Sequence, residues 1–206
     1  GNIIATAKII PDKNNKKKYR YEIKGKIRDA SLNILDKSKV QNINFNFGIK
    51  NENLELSKID FKFNKIKFLS DILKINKVEK GFKVEGSFKT QEGMISKKDI
   101  KTYANINLDF LENKFISGTT INKFSFIVNK NRKINNLNFE SKIKFDKINF
   151  DKKYQKLIFL KNGEINAYYN NENLNVNIDS EYQFIKNSYN NKNQKDKIKF
   201  NIIRKK

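Results

Sequence analysis

Apolar and polar residues alternate along most of this chain with a period of two, the spacing of a β-strand that wets one face and shelters the other. Tyr19, Tyr21, Ile23, Gly25 and Ile27 fall on one side of such a strand, and Arg20, Glu22, Lys24 and Lys26 on the other. The rhythm returns at residues 43–49, 59–63, 82–88, 104–110, 137–145 and 174–184, with Lys, Asn, Glu or Asp between the apolar positions. Strands with one wet face pair antiparallel, because parallel sheets are covered on both sides and read as continuous apolar runs.

Breaks in the alternation come where two polar residues separate apolar runs, at Lys58, Lys65 and Lys147. Each is a β-bulge or a short bend, and the immediate return of the alternation favours a bend. Asn51-Glu-Asn-Leu54 and Asn171-Glu-Asn-Leu174 are near-identical hairpin signals, and Asn162-Gly163 and Lys80-Gly81 read as tight turns. The paired Asn-Glu-Asn-Leu sites, with Lys-Ile-Lys-Phe at 65–68 and again at 142–145, hint at an internal repeat. Residues 69–77 fit either a turn or two of helix or a kinked strand. Residues 187–197 read as a long polar loop before a last strand at 198–202. No linker rich in Gly, Ser or Pro interrupts the chain, so residues 1–206 are expected to form one domain. The predicted fold is all-β, with antiparallel strands in an elongated, curled sheet, or else a β-sandwich or solenoid. The Gly at position 1 is the start expected of a tag remnant or of a fragment excised from a longer protein, for which an anchor or export signal would lie upstream.

Composition narrows the chemistry. The chain has 44 Lys and Arg against 22 Asp and Glu, a net charge of +22, and no Cys or His. Missing Cys removes disulfides and thiolate metal sites, and missing His removes the commonest general base and metal ligand. No phosphate loop, dinucleotide fingerprint or nucleophile elbow is present. Glu85, Asp109, Glu140 and Asp179 alternate with apolar residues, which places them on a solvated sheet face rather than in a catalytic pair. The chain is therefore read as non-enzymatic, with no cofactor and no metal. Its charge favours an anionic membrane surface or an acidic polymer. Nucleic acid is not favoured, because the aromatics fall on the face opposite the lysines and Arg is scarce.

Two passages carry a resemblance. Tyr21-Glu-Ile-Lys-Gly-Lys-Ile-Arg-Asp-Ala-Ser-Leu-Asn-Ile-Leu35 leads through Val40-Gln-Asn-Ile-Asn-Phe-Asn-Phe47 to Leu54-Glu-Leu-Ser-Lys-Ile-Asp-Phe-Lys-Phe63. Gly163-Glu-Ile-Asn-Ala-Tyr168 likewise leads into Leu174-Asn-Val-Asn-Ile178. This succession of short strands resembles the AsmA/TamB family of bacterial envelope proteins. The resemblance implies a periplasmic protein anchored in the inner membrane. It implies an apolar β-groove that carries phospholipid acyl chains toward the outer membrane, or that assists outer-membrane biogenesis with a barrel partner. The implied groove positions are Tyr21, Ile23, Phe45, Phe47, Phe61, Phe63, Ile106, Leu108, Phe110, Phe139, Ile143, Phe145, Val176 and Ile178. The competing function is an adhesin-like surface domain whose basic face holds an acidic polymer or a partner protein.

Overall fold

A computed structural model describes the chain except for residues 12–18, 35–37, 64–65, 92, 99–111, 113–114, 150–157, 185–195 and 206. The strands are β1 (Asn2–Pro11), β2 (Tyr19–Ile34), β3 (Ser38–Lys50), β4 (Asn53–Phe63), β5 (Ile66–Val78) and β6 (Gly81–Thr90). They continue with β7 (Gly93–Ser96), β8 (Phe115–Asn129), β9 (Ile134–Asn149), β10 (Ile158–Asn170), β11 (Asn173–Phe184) and β12 (Asp196–Lys205). Lys97 and Lys98 are the only helical residues among those described. The fold is all-β and antiparallel. One sheet runs in the order β1-β2-β3-β4-β5-β6-β8-β9-β10-β11-β12, with β7 beside β8 and no pairing of β1 with β12 among the described residues.

The chain divides into two compact units, Gly1–Gln91 with Asn122–Phe139, and Glu92–Ile121 with Glu140–Lys206. In the first unit, Asn51 and Glu52 turn β3 into β4 with φ of 48° and 67°. Positive φ at both central residues matches the right-handed twist of the strands they join. Glu79 and Lys80 make the next turn, and Gly81 opens β6 at φ 146°. A side chain at Gly81 would run into the Val128 carbonyl, so this position needs glycine both for its backbone and for its closeness to β8.

Extra residues interrupt four consecutive strands of this unit at one level. Ile27↔Phe45 and Ala30↔Ile43 bracket three steps on β2 against two on β3, which leaves Asp29 as the extra residue. Asn42 is extra in β3 and Lys58 in β4. The β5–β6 register slips by one between Leu69 and Leu73. Asp29, Asn42 and Lys58 have φ of 52°, 53° and 52°, the left-handed conformation that lets a bulge absorb its extra residue. Lys58 is thus a bulge and not the expected bend. Lys65 lies outside the described residues, and Lys147 sits within β9.

The bulges explain why the apolar positions change parity, from Ile27 to Ala30, from Val40 to Ile43 and from Leu56 to Ile59: one added residue keeps the later apolar side chains on the same face. They also make residues 69–77 part of a strand, which settles the helix-or-kinked-strand alternative in favour of the strand. Side chains satisfy the groups that the bulges free. The Asp29 N–H donates to Asn44 Oδ1 at 2.9 Å, and Asn44 Nδ2 donates to the Asn42 carbonyl at 3.0 Å and to Asp60 Oδ2 at 3.3 Å. Arg28 donates to the Phe45 carbonyl at 3.1 Å and to Asn46 Oδ1 at 3.0 Å.

The second unit uses the same device in β10. Asn162 has φ 50°, and the β10–β11 register slips between Lys161 and Glu164. Asn162-Gly163 is therefore a bulge inside β10 rather than the expected turn, because the residues on both sides pair with one continuous partner strand. Buried Ser180 donates its hydroxyl to the Lys161 carbonyl at 3.0 Å across that bulge. Gly163 leaves room for the Phe145 ring, which lies where a Cβ would stand. Phe145, Ile148 and Leu160 form the core of the unit, with Ile116, Ile165 and Tyr182 packed against it.

Asn42 precedes the turn residue Asn51 by nine positions, and Asn162 precedes Asn171 by nine. The expected repeat thus has a geometric counterpart, bulge then hairpin, at an offset of 120 residues. The Lys-Ile-Lys-Phe pair does not share that offset. The strand expected at 104–110 and most of the loop at 187–197 lie outside the described residues, while Asp196 and Lys197 begin β12.

Candidate apolar binding face

In the first unit, one sheet face carries the alternating apolar side chains of β2 to β6 and the adjoining part of β8. Among the described residues of this unit, only Val40 and Ile59 are buried apolar side chains. The rest are half-buried or, like Leu32 and Phe82, exposed, with no second layer over them among the described residues of this unit. A sandwich interdigitates two inner faces and buries most of both. Here no described side chain of large size is fully buried.

The aromatics on this face form a ladder. Phe61 and Phe68 are cross-strand partners with rings stacked at 5.1 Å. Phe61 meets Phe88 of β6 edge-on at 5.5 Å, Phe88 stacks on Phe124 of β8 at 5.6 Å, and Phe124 lies 5.9 Å from Phe126. Offset and edge-to-face rings at such separations attract beyond their area burial, which fixes the ladder without a lid. Farther along, Phe45 and Phe47 are 6.4 Å apart. The Phe47 ring covers Gly25, its cross-strand partner, so closely that a Cβ there would fall 2.5 Å from Phe47 Cζ.

The sequence-derived positions divide accordingly. Ile23, Phe45, Phe47, Phe61, Phe63 and Phe139 are half-buried in the first unit, and Tyr21 is 39 % exposed. Ile143, Val176 and Ile178 are half-buried in the second unit. Phe145 belongs to that unit's core at 3 % exposure and offers no surface to a ligand. Ile106, Leu108 and Phe110 lie outside the described residues. Sequence reasoning missed Phe68, Phe88, Phe124 and Phe126. The alternation Phe124-Ser-Phe126 and the end of the recognised run at Phe88 carried the signal, while the slip in β5 disguised Phe68.

The opposite face is charged in both signs. Lys83 meets Glu85 at 2.7 Å, Lys142 meets Glu164 at 2.9 Å and Lys199 meets Asp179 at 3.4 Å, whereas Lys77, the cross-strand partner of Phe82 on the apolar side, meets the turn residue Glu52 at 2.7 Å. The hydrogen bond from Lys142, and then that from Asn166, hold the Glu164 carboxyl below the ordinary carboxylate range. Lys24 does the same to Glu22. Phe159 is an apolar exception, buried beneath the ammonium groups of Lys147 and Lys161 at 4.6 and 5.0 Å from its ring centre. Pairs of this kind keep a single-layer sheet soluble, although each exposed bridge adds little stability.

Among the described residues, no group of His, Cys, Asp or Glu is placed to hold a metal, and no helix is long and apolar enough to cross a membrane. Comparison with known families, with characterised proteins and with solved structures finds no match.

Proposed function

We propose that the apolar face of the first unit binds acyl chains, and that the chain is an AsmA/TamB-like segment which shields phospholipid on its way between envelope membranes. The observation that carries this reading is the half-buried ladder of Phe61, Phe68, Phe88, Phe124 and Phe126, an apolar strip with no covering layer among the described residues. Apolar area removed from water contributes roughly 25 cal/mol per Å², or about 0.8 kcal/mol for each methylene. An acyl chain laid along the ladder gains that stabilisation and completes the missing layer. The charged outer face keeps the sheet soluble and favours approach to anionic head groups. In this reading the protein works in the periplasm, held to the inner membrane by a segment outside this sequence, with an outer-membrane barrel as a partner.

Lipid extraction and native mass spectrometry of the purified chain test it. Phospholipid should co-purify with the natural protein and be lost from Phe88→Glu and Phe47→Glu, while Lys74→Gln on the outer face retains it. Binding should barely respond to salt, whereas an acidic polymer held by lysines would be released steeply by it. Lipid retained in both Glu variants would rule out the aromatic face as the binding surface.

A further inference from the structure

The sheet edge at β1 departs from the pattern of the strands beside it. It pairs with β2 from Asn2↔Arg28 to Pro11↔Tyr19 and has no neighbour on its other side among the described residues. It is also apolar on both faces. Ile3 and Ile9, on one side, are 68 % and 69 % exposed, and Ile4, on the other, is 60 % exposed. An edge strand with a free hydrogen-bonding row and few charges is a template for another strand. In a chain of net charge +22, β1 carries a single cation, Lys8, which lies opposite Glu22. β12, at the other end of the order, holds four cations and one acid.

We infer that β1 docks a second copy of this chain, strand to strand and antiparallel about a two-fold axis through Thr6. The sequence Asn2-Ile-Ile-Ala-Thr-Ala-Lys-Ile-Ile10 is nearly palindromic about that residue. Pairing Thr6 with Thr6 sets Ala5 beside Ala7 and Ile3 beside Ile9, large against large and small against small. It sets Lys8 beside Ile4, so the two lysines do not oppose each other. This register uses residues 2–10 and leaves Pro11, which has no N–H to donate, outside the ladder. A centre moved to Ala7 would bring Pro11 into the ladder and face Ile3 with it. The two-fold keeps each face continuous, so the apolar face of one copy runs on into that of the next. This inference stands whether or not the face binds lipid.

The chain has no cysteine, which makes the register directly readable. Residues opposed across antiparallel strands have Cα atoms about 4.5–5.5 Å apart, within disulfide reach. Under mild oxidation, Thr6→Cys should form a covalent dimer at least tenfold faster than Asn201→Cys on β12. Sedimentation of the natural chain should show a concentration-dependent dimer that Ile3→Lys with Ile9→Lys abolishes, with the circular dichroism unchanged. A monomer at all concentrations, a dimer that survives the double Lys change, or cross-linking at Thr6 no faster than at Asn201 would overturn the inference.

Discussion

The two units use the same alternation and the same bulge, yet they treat a phenylalanine over a glycine differently. In the second unit the Phe145 ring sits on Gly163 and joins Ile148 and Leu160 in a buried core. In the first, Phe47 covers Gly25 but stays half-buried, and the nearby ladder has no covering layer among the described residues. Period two reports only that a side chain avoids water on one face. Whether that face becomes a core or a surface depends on what packs above it, which the period does not encode. The second unit closes Phe145, Ile148 and Leu160 into a core, whereas the ladder of the first stays half-buried.

Substitutions can sharpen this contrast, beginning with the largest effect. Phe145→Ala should cost about 3–5 kcal/mol in chemical denaturation, as large-to-small changes do in a closed core. Phe126→Ala, on the half-buried ladder, should cost well under half of that while weakening lipid binding. Equal losses at the two sites would erase the distinction between core and surface. Gly163→Ala forces a methyl into the Phe145 ring and should cost about 1–3 kcal/mol. Gly48→Ala meets nothing within 4 Å and should instead stabilise by about 0.4–1 kcal/mol through a less flexible unfolded chain. Asn42→Ala and Asn162→Ala each remove the short polar side chain that makes the left-handed conformation tolerable and should cost up to about 1 kcal/mol, while the matching Gly variants should relieve the β-carbon strain that Asn still carries.

The smallest effect is electrostatic. The Glu164 carboxyl has a lowered folded-state pKa, so its ion pair stabilises fully above the unfolded carboxylate value and is lost as pH falls through the lowered one. Lys142→Gln should move the Glu164 titration, followed by NMR, upward toward the ordinary carboxylate range. An unchanged titration would assign the shift to Asn166 instead.

Most strands were legible because cross-strand packing makes one face uniformly apolar, as at residues 19–27, 43–49 and 174–184. β1 was missed because Ile3-Ile4 and Ile9-Ile10 place apolar residues on both faces, and the strand at residues 115–129 because Gly118-Thr-Thr120 blurs its centre. The Lys58 bulge shows in the sequence as a break in the alternation that also fits a bend, and Asn162-Gly163 carries the composition of a turn, while the parity changes at Asp29 and Asn42 lie outside the expected breaks. The distinguishing mark was local: Asn42-Ile-Asn-Phe45 and Asn136-Leu-Asn-Phe139 both put the first Asn at φ near 50°, with the second Asn amide donating to its carbonyl. Aromatic contacts between strands were not legible at all, since they depend on register, and every bulge resets the register.

Photo-crosslinking with a phospholipid that carries a diazirine in its acyl chain, mapped by mass spectrometry, tests the open aromatic face most directly. Adducts concentrated on β4, β5, β6 and residues 122–129 of β8, and abolished by Phe88→Glu, are the predicted result. Adducts confined to the charged face or to the Phe145 core, or no adduct above the background of an unfolded control, would contradict it.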